Sequence, residues 1–350
     1  MNDTAAASGV VLPDTDMSAL RVWLGAVGIE PRGEITGARI GFGQSNLTYV
    51  MSDEAGARWV LRRPPVGHLL ASAHDVAREA RILSALADTD VPVPRIYGVC
   101  RDDTVSPVPI VAMEYVDGTV LSDRRAAEPL PLETRHAVGI WMTDTLARIH
   151  TVDLDAVGLS DLASHKPYAP RQLKRWSTQW EQSKTREIPE LDALTRRLAA
   201  TMPEQHETTL VHGDFHLRNV MIDPASGAVT AALDWELSTL GDPLADIGST
   251  LAYWPEPTDA VLLGEPVEVM DGFCDRGELA RAYLQRTGRD PQALKYWHAL
   301  GLWKVAIIAE GVLRRARDNP ANRAAAGVPT PAHVDDFVAR AVAVADDAGL

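Results

Sequence analysis

The chain has 350 residues, 46% hydrophobic and 23% charged, which is long enough for two separate cores and ordinary for a globular protein. A formal net charge of -14 argues against a nucleic-acid partner, because phosphate backbones attract basic surfaces. Neither a basic, apolar leader nor a run approaching ~18 apolar residues occurs, so no membrane span is expected and the cytoplasm is the expected compartment. Cys100 and Cys274 are the two cysteines and lie far apart in sequence, so both are read as small buried hydrophobes and not as a disulfide.

Residues 16–28 have apolar side chains at helical spacing and end in Gly28, which predicts a short leading helix. A strand is expected near 35–40, then strands over 47–52 and 57–63 around a turn at 53–56. Residues 72–88 form an amphipathic helix with Val76, Ala80 and Leu83 on one face, closed by Pro92 and Pro94. Short strands follow near 96–101 and 108–115. From Pro131 the pattern is helical: 132–150, 170–186, 190–202, 244–254, 276–288, 291–318 and 332–348. One hairpin interrupts it, with strands at 220–222 and 229–233. A strand-rich first third followed by a helical remainder predicts an α+β protein of two lobes, divided as 1–115 and 116–350.

The most informative stretch is His212-Gly213-Asp214-Phe215-His216-Leu217-Arg218-Asn219, followed by Asp234-Trp235-Glu236. Moving a phosphoryl group from a nucleotide needs a carboxylate facing the acceptor hydroxyl, with an amide and a second carboxylate to hold Mg²⁺. Asp and Asn oxygens are hard ligands suited to that ion. The segment Gly41-Phe42-Gly43-Gln44-Ser45-Asn46 lies between two expected strands, where glycines let backbone N–H groups approach phosphates. No G-x-S-x-G elbow supports a hydrolase.

HGDFHLRN with LDWE resembles the catalytic loop and metal motif of the aminoglycoside phosphotransferase and choline kinase superfamily. The resemblance covers roughly residues 35–315. GFGQSN, WVLRRPP, ALDWELSTLGDPLADIG and QLKRWSTQWEQ are similar to the branch found fused to acyl-CoA dehydrogenases. It implies a bilobal protein-kinase-like fold, with a small β-rich N-lobe and a larger helical C-lobe. The implied activity is Mg²⁺-dependent transfer of the γ-phosphoryl group of ATP or GTP to a hydroxyl of a small molecule.

By the same resemblance, Asp214 accepts or orients the acceptor hydroxyl, Asn219 and Asp234 bind metal, and Glu236 either reaches the same or a second Mg²⁺ or forms a structural salt bridge. His212 packs the loop without doing chemistry. Arg218 either stabilises charge on the transferring group or pairs with a nearby carboxylate. Gly43, Ser45 and Asn46 contact phosphate. Arg62 stands where the wider family has a lysine, with Arg63 on the opposite strand face. Glu79 anchors Arg62. Met113, Glu114 and Val116 line the adenine pocket as a hinge.

Tyr168, Lys174, Arg175, Trp176 and Trp180 lie where this superfamily builds its acceptor site. Their cations suit a phosphorylated acceptor such as a hydroxyacyl-CoA. Asp246, Glu256, Asp259, Glu265 and Glu268 are carboxylates that would instead suit an aminoglycoside. Arg62 in place of lysine keeps a second reading open, a catalytically silent kinase-like protein that binds a ligand or partner. No feature chooses between ATP and GTP, or between monomer and homodimer.

Overall fold

The computed structural model describes residues 12–41, 46–65, 75–259, 265–319 and 327–350. Packing divides the chain into two units. One runs up to Asp117 and also takes in Asp234–Glu236; the other holds Gly118–Leu233 and Leu237–Leu350. A division at 115/116 places Asp234–Glu236 in the second part, whereas their packing assigns them to the first.

The first unit is a five-stranded antiparallel sheet in the order β1-β2-β3-β5-β4 with two helices. Its strands are β1 (Ile35–Ile40), β2 (Leu47–Asp53), β3 (Arg58–Arg63), β4 (Ile96–Cys100) and β5 (Ile110–Glu114). Helix α1 (Met17–Ala26) starts at Asp16, whose side chain accepts from the Ser18 and Ala19 N–H groups. Helix α2 (Val76–Leu86) is capped by Asp75, so its observed start lies inside the predicted 72–88 span; residues 72–74 are outside the described ones.

Strand β3 shows how the sequence sorts side chains. Successive residues alternate faces. Trp59 and Leu61 join a core with Leu20 and Leu24 of α1, while Val60 packs with Val76 and Ala80 of α2. Arg62 therefore shares the α2 face with Val60. Arg63 goes to the opposite face, where it is buried and donates to Thr15 Oγ1 at 2.9 Å and to the Pro13 carbonyl.

The second unit contains α3 (Arg124–Ala127), α4 (Leu132–Ile149), α5 (Tyr168–Ser183), α6 (Pro189–Ala200), α7 (Pro243–Ala252), α8 (Arg276–Thr287), α9 (Pro291–Asp318) and α10 (Pro331–Ala348). Two small antiparallel ladders accompany them: β6 (Thr209–Val211) with β9 (Thr239–Gly241), and β7 (Val220–Ile222) with β8 (Val229–Ala232). The sequence pattern anticipates the β7–β8 hairpin but not α3 or β9, each too short to show a period. No helix among the described residues is long and apolar enough to cross a membrane.

Helices α7 and α9 cross at two glycines. A Cβ on Gly248 would stand 2.5 Å from the Trp297 carbonyl carbon and oxygen, and one on Gly301 would stand 2.7 Å from the Gly248 oxygen. Backbone cannot yield as a side-chain tip can, so Gly248→Ala is expected to destabilise by about 1–3 kcal/mol. Urea unfolding at constant m-value checks this; an unchanged midpoint would contradict the close crossing.

Candidate active site

In the first unit, Arg62 is the centre of a compact charged group. Its Nε lies 2.7 Å from Glu79 Oε2, one Nη donates to Asp234 Oδ1 at 2.6 Å, and the other donates to Thr48 Oγ1 at 3.3 Å. Burial opposes the guanidinium charge, but Glu79 and Asp234 outweigh it and hold the pKa above the ordinary value. Glu79 is itself buried, which raises its pKa against the pull of Arg62. Its other oxygen accepts the Trp235 N–H at 3.2 Å, tying α2 to the Asp234–Glu236 segment.

Asp234 has φ 64, a left-handed conformation that few non-glycine residues adopt. Such strain costs about 1–3 kcal/mol and persists where surroundings enforce it; here Arg62 grips the side chain and Glu79 grips the next N–H. Glu236 Oε2 accepts from Asn46 Nδ2 at 3.4 Å, and Asn46 Oδ1 is buried without a partner among the described residues. Gly43 and Ser45 lie outside the described residues.

At the expected hinge, Met113 packs with Val60, Val76, Ala80 and Val111. The Glu114 N–H donates to the Arg95 carbonyl at 2.8 Å, so an adenine contact by the Glu114 backbone would have to use its carbonyl. Val116 follows, half-buried, beyond the end of β5.

In the second unit, the loop between β6 and β7 is held by one carboxylate. Asp246 of α7, 2% exposed, accepts the His212 N–H at 2.5 Å and the Gly213 N–H at 2.7 Å, and lies 3.2 Å from His150 Nε2. His150 in turn meets the Tyr283 hydroxyl at 2.7 Å. Burial works against the Asp246 charge, yet the His150 bond and the Gly213 N–H keep its pKa below the ordinary value.

Gly213 has φ 85, and a Cβ there would lie 2.6 Å from the Leu237 carbonyl oxygen, so the turn requires glycine. His212 is fully buried; Nε2 meets the Leu233 carbonyl at 2.9 Å and Nδ1 accepts the Asp214 N–H at 3.3 Å. With both ring nitrogens engaged, it braces the loop.

Asp214 lies 3.5 Å from His216 Nε2. Burial opposes its charge, but the His216 bond and the charges of His216 and Lys304 bring its pKa down to about 2. Asn219 Nδ2 donates to the Asp214 carbonyl at 3.0 Å and to its carboxylate at 3.2 Å. The amide nitrogen thus faces Asp214, and the amide oxygen is left for another donor or a cation. Arg218 is exposed and makes no ion pair or hydrogen bond among the described residues, although its charge acts on Glu268. In the first unit Asp234 and Glu236 carry hard oxygens of the kind Mg²⁺ takes, and in the second Asn219 carries one.

The packing sorts the remaining candidate residues. Trp180 is core: it is 2% exposed and its Nε1 donates to Asp192 of α6 at 3.1 Å. Trp176 is half-buried, with Arg175 and Lys304 both over its ring. Tyr168 is also buried, against Gly241. Asp246 does not line an acceptor site, since both its oxygens serve the loop. Asp259 pairs with Arg276 and Arg340, and Glu256 with Arg276, so neither is a free carboxylate. Cys274 meets His136 and Glu278 within 4.8 Å, a grouping their sequence spacing hides. Its thiol, pushed by burial to about 12, donates to the His136 carbonyl, and Glu278 closes the capping box of α8.

The model of the phosphotransferase enzyme family matches residues 36–297. The chain belongs to that family. Over 307 residues it is 37% identical to acyl-CoA dehydrogenase family member 10 of Mus musculus, a match covering 86% of this chain and 28% of that protein. It therefore spans less than a third of that relative's length. An aminoglycoside 3'-phosphotransferase of Streptomyces fradiae is 28% identical over 178 residues, covering 50% of this chain and 63% of that protein.

Among solved structures, a Ralstonia eutropha protein, whose assignment as an aminoglycoside phosphotransferase is provisional, matches with TM-score 0.76 and 31% identity over 95% of this chain and 97% of the other. Choline kinase of Cryptosporidium parvum matches with TM-score 0.62 at 12% identity, over 95% and 96%. The fold is thus the kinase-like α+β fold, and the coarse activity of the family is phosphotransfer to a small molecule.

Asp246→Ala removes a buried carboxylate from three donors and should cost about 3–5 kcal/mol at neutral pH. Because its folded-state pKa is depressed, that contribution is present above the unfolded value of about 4 and is lost as pH falls through the lower folded value. The stability gap between the parent and Asp246→Ala, read by denaturant unfolding, should be constant from about pH 5 to 7 and shrink below pH 4. A gap that widened with acid would contradict the assignment.

Proposed function

We propose that the protein transfers the γ-phosphoryl group of ATP or GTP to a hydroxyl of a small, non-cationic metabolite. The observation that carries this reading is the pairing of Arg62 with both Glu79 and Asp234, which would set a phosphate-binding cation beside a metal-binding carboxylate. Arg62 would hold nucleotide phosphate oxygens in its planar fork, as a lysine point charge cannot. An intact Arg62–Glu79 pair speaks against the silent-protein reading that the arginine first suggested.

Asp214 would orient the acceptor hydroxyl. The hydroxyl oxygen attacks the γ-phosphorus, the bond to the bridging oxygen breaks, and the hydroxyl proton passes to the Asp214 carboxylate and then to solvent. Its lowered pKa makes Asp214 a weak base, so its fixed position matters more than its basicity where the transition state is loose. Asn219, Asp234 and Glu236 would hold a divalent metal, consistent with the ATP and metal use of this family. When bound, that ion neutralises charge on the phosphates. Arg218, exposed on the same loop as Asp214, would meet charge on the transferring group. Gly43, Ser45 and Asn46 would contact phosphate, and Met113, Glu114 and Val116 would receive the base.

For the acceptor, the engagement of Asp246, Asp259 and Glu256 elsewhere weighs against a carboxylate-lined aminoglycoside site. The relatives' acyl-CoA dehydrogenase names are in keeping with a hydroxyacyl thioester. A coupled assay of ADP release with kanamycin, choline and a hydroxyacyl-CoA tests this. Acceptor-stimulated turnover should appear with the last, and Asp214→Ala should reduce it about 10²–10⁴-fold while nucleotide binding persists. Undiminished turnover in Asp214→Ala would contradict the proposed role.

A further inference from the structure

Helix α9 carries Lys304 to the loop before Asp214. The ammonium donates to the Gly213 carbonyl at 3.3 Å, its one hydrogen bond among the described residues, and lies 5.4 Å from the Trp176 ring centroid. An ammonium has three donors, so two have no hydrogen-bond partner among the described residues. Arg175 stands over the same indole, its Cζ 5.5 Å from the centroid, and makes no ion pair or hydrogen bond among the described residues. Two cations thus share one half-buried aromatic ring.

Burial disfavours the Lys304 charge and Arg175 disfavours it further, whereas Asp214 and Asp246 support it, and the balance lowers its pKa. Arg175 is exposed to solvent, so the unmet demand falls on the half-buried Lys304 ammonium, which an anion or a polar oxygen would satisfy. The same charges repel an ammonium-bearing ligand.

We propose that Lys304, with Arg175 and Trp176, forms an acceptor subsite that takes a carboxylate or carbonyl oxygen of a hydroxylated compound and excludes cationic acceptors. This rests on the phosphotransfer reading for the role of Asp214, but the binding claim can be measured without turnover. Lys304 supplies two free N–H donors to the acceptor oxygen, Arg175 adds charge, and Trp176 gives a flat wall. Lys304 bonds the residue just before Asp214 and its charge acts on the Asp214 carboxylate, so a hydroxyl near the bound oxygen would lie toward that carboxylate.

The test uses the full chain with 3-hydroxybutyrate, choline and kanamycin as probes, read by saturation-transfer NMR and tryptophan fluorescence. The parent should bind 3-hydroxybutyrate more tightly than either cation. Lys304→Met should weaken that binding about tenfold or more, as loss of a charge-assisted hydrogen bond implies. Lys304→Arg should restore most of it, and Lys304→Glu should turn the preference toward choline, a reversal that a purely structural lysine would not produce. Tighter binding of choline or kanamycin to the parent, no binding of any probe, or unchanged 3-hydroxybutyrate affinity in Lys304→Met would each overturn the proposal. If Lys304→Met fails to fold, Lys304→Glu and Lys304→Arg decide by the sign of the preference. Should the binding pattern hold while no phosphorylated product forms, the phosphotransfer reading fails and the subsite stands. Product formation with an unchanged KM in Lys304→Met gives the converse.

Discussion

A guanidinium taken out of water has to be matched by carboxylates, and Arg62 is matched by two. The alternation of β3 places it on the face covered by α2, the helical period of α2 brings Glu79 to that face, and a left-handed turn at Asp234 delivers the second carboxylate. Each feature is unfavourable alone: a buried charge, a buried carboxylate, a strained backbone. Together they compensate one another, since Glu79 also accepts the N–H that follows the strained residue. Breaking any one leaves the other two without a reason to stay.

The second unit solves a related problem by different means. A loop that presents side chains has to satisfy its own backbone N–H groups where they are shielded from water. Asp246 takes two of them, His212 takes a third through its ring, and Gly213 supplies the positive φ that lets the chain turn there. Asp214 and Asn219 are then fixed relative to each other by the Asn219 amide. Rigid backbone support of this kind is what a reaction governed by positioning requires.

Much of this was legible in the chain itself. The period-2 pattern of WVLRR predicts opposite faces for Arg62 and Arg63, and they diverge as expected, one to a charged group and one to a structural contact with Thr15. Loop spacing singles out Asp214, Asn219 and Asp234 as candidates, and the fold sets Asn219 against Asp214 and Asp234 against Arg62. By sequence Asp246 is one of several carboxylates open to an acceptor, because an acid that accepts backbone N–H groups has no sequence signature; only the fold shows which N–H groups face it. Trp176 and Trp180 are equivalent by spacing, yet the packing of α6 buries one and leaves the other half-open. Lys304 escaped notice altogether, since the end point of a long side chain on a 28-residue helix depends on how α9 crosses α7, and that crossing is set by two glycines.

Calorimetric titration of ATP into the purified protein, with and without Mg²⁺, tests the central claim most directly. The charge arrangement around Arg62 and Asp234 predicts saturable binding that strengthens when Mg²⁺ is present and loses that dependence in Asp234→Asn. Absence of nucleotide binding, or binding indifferent to Mg²⁺ in the parent chain, would contradict it.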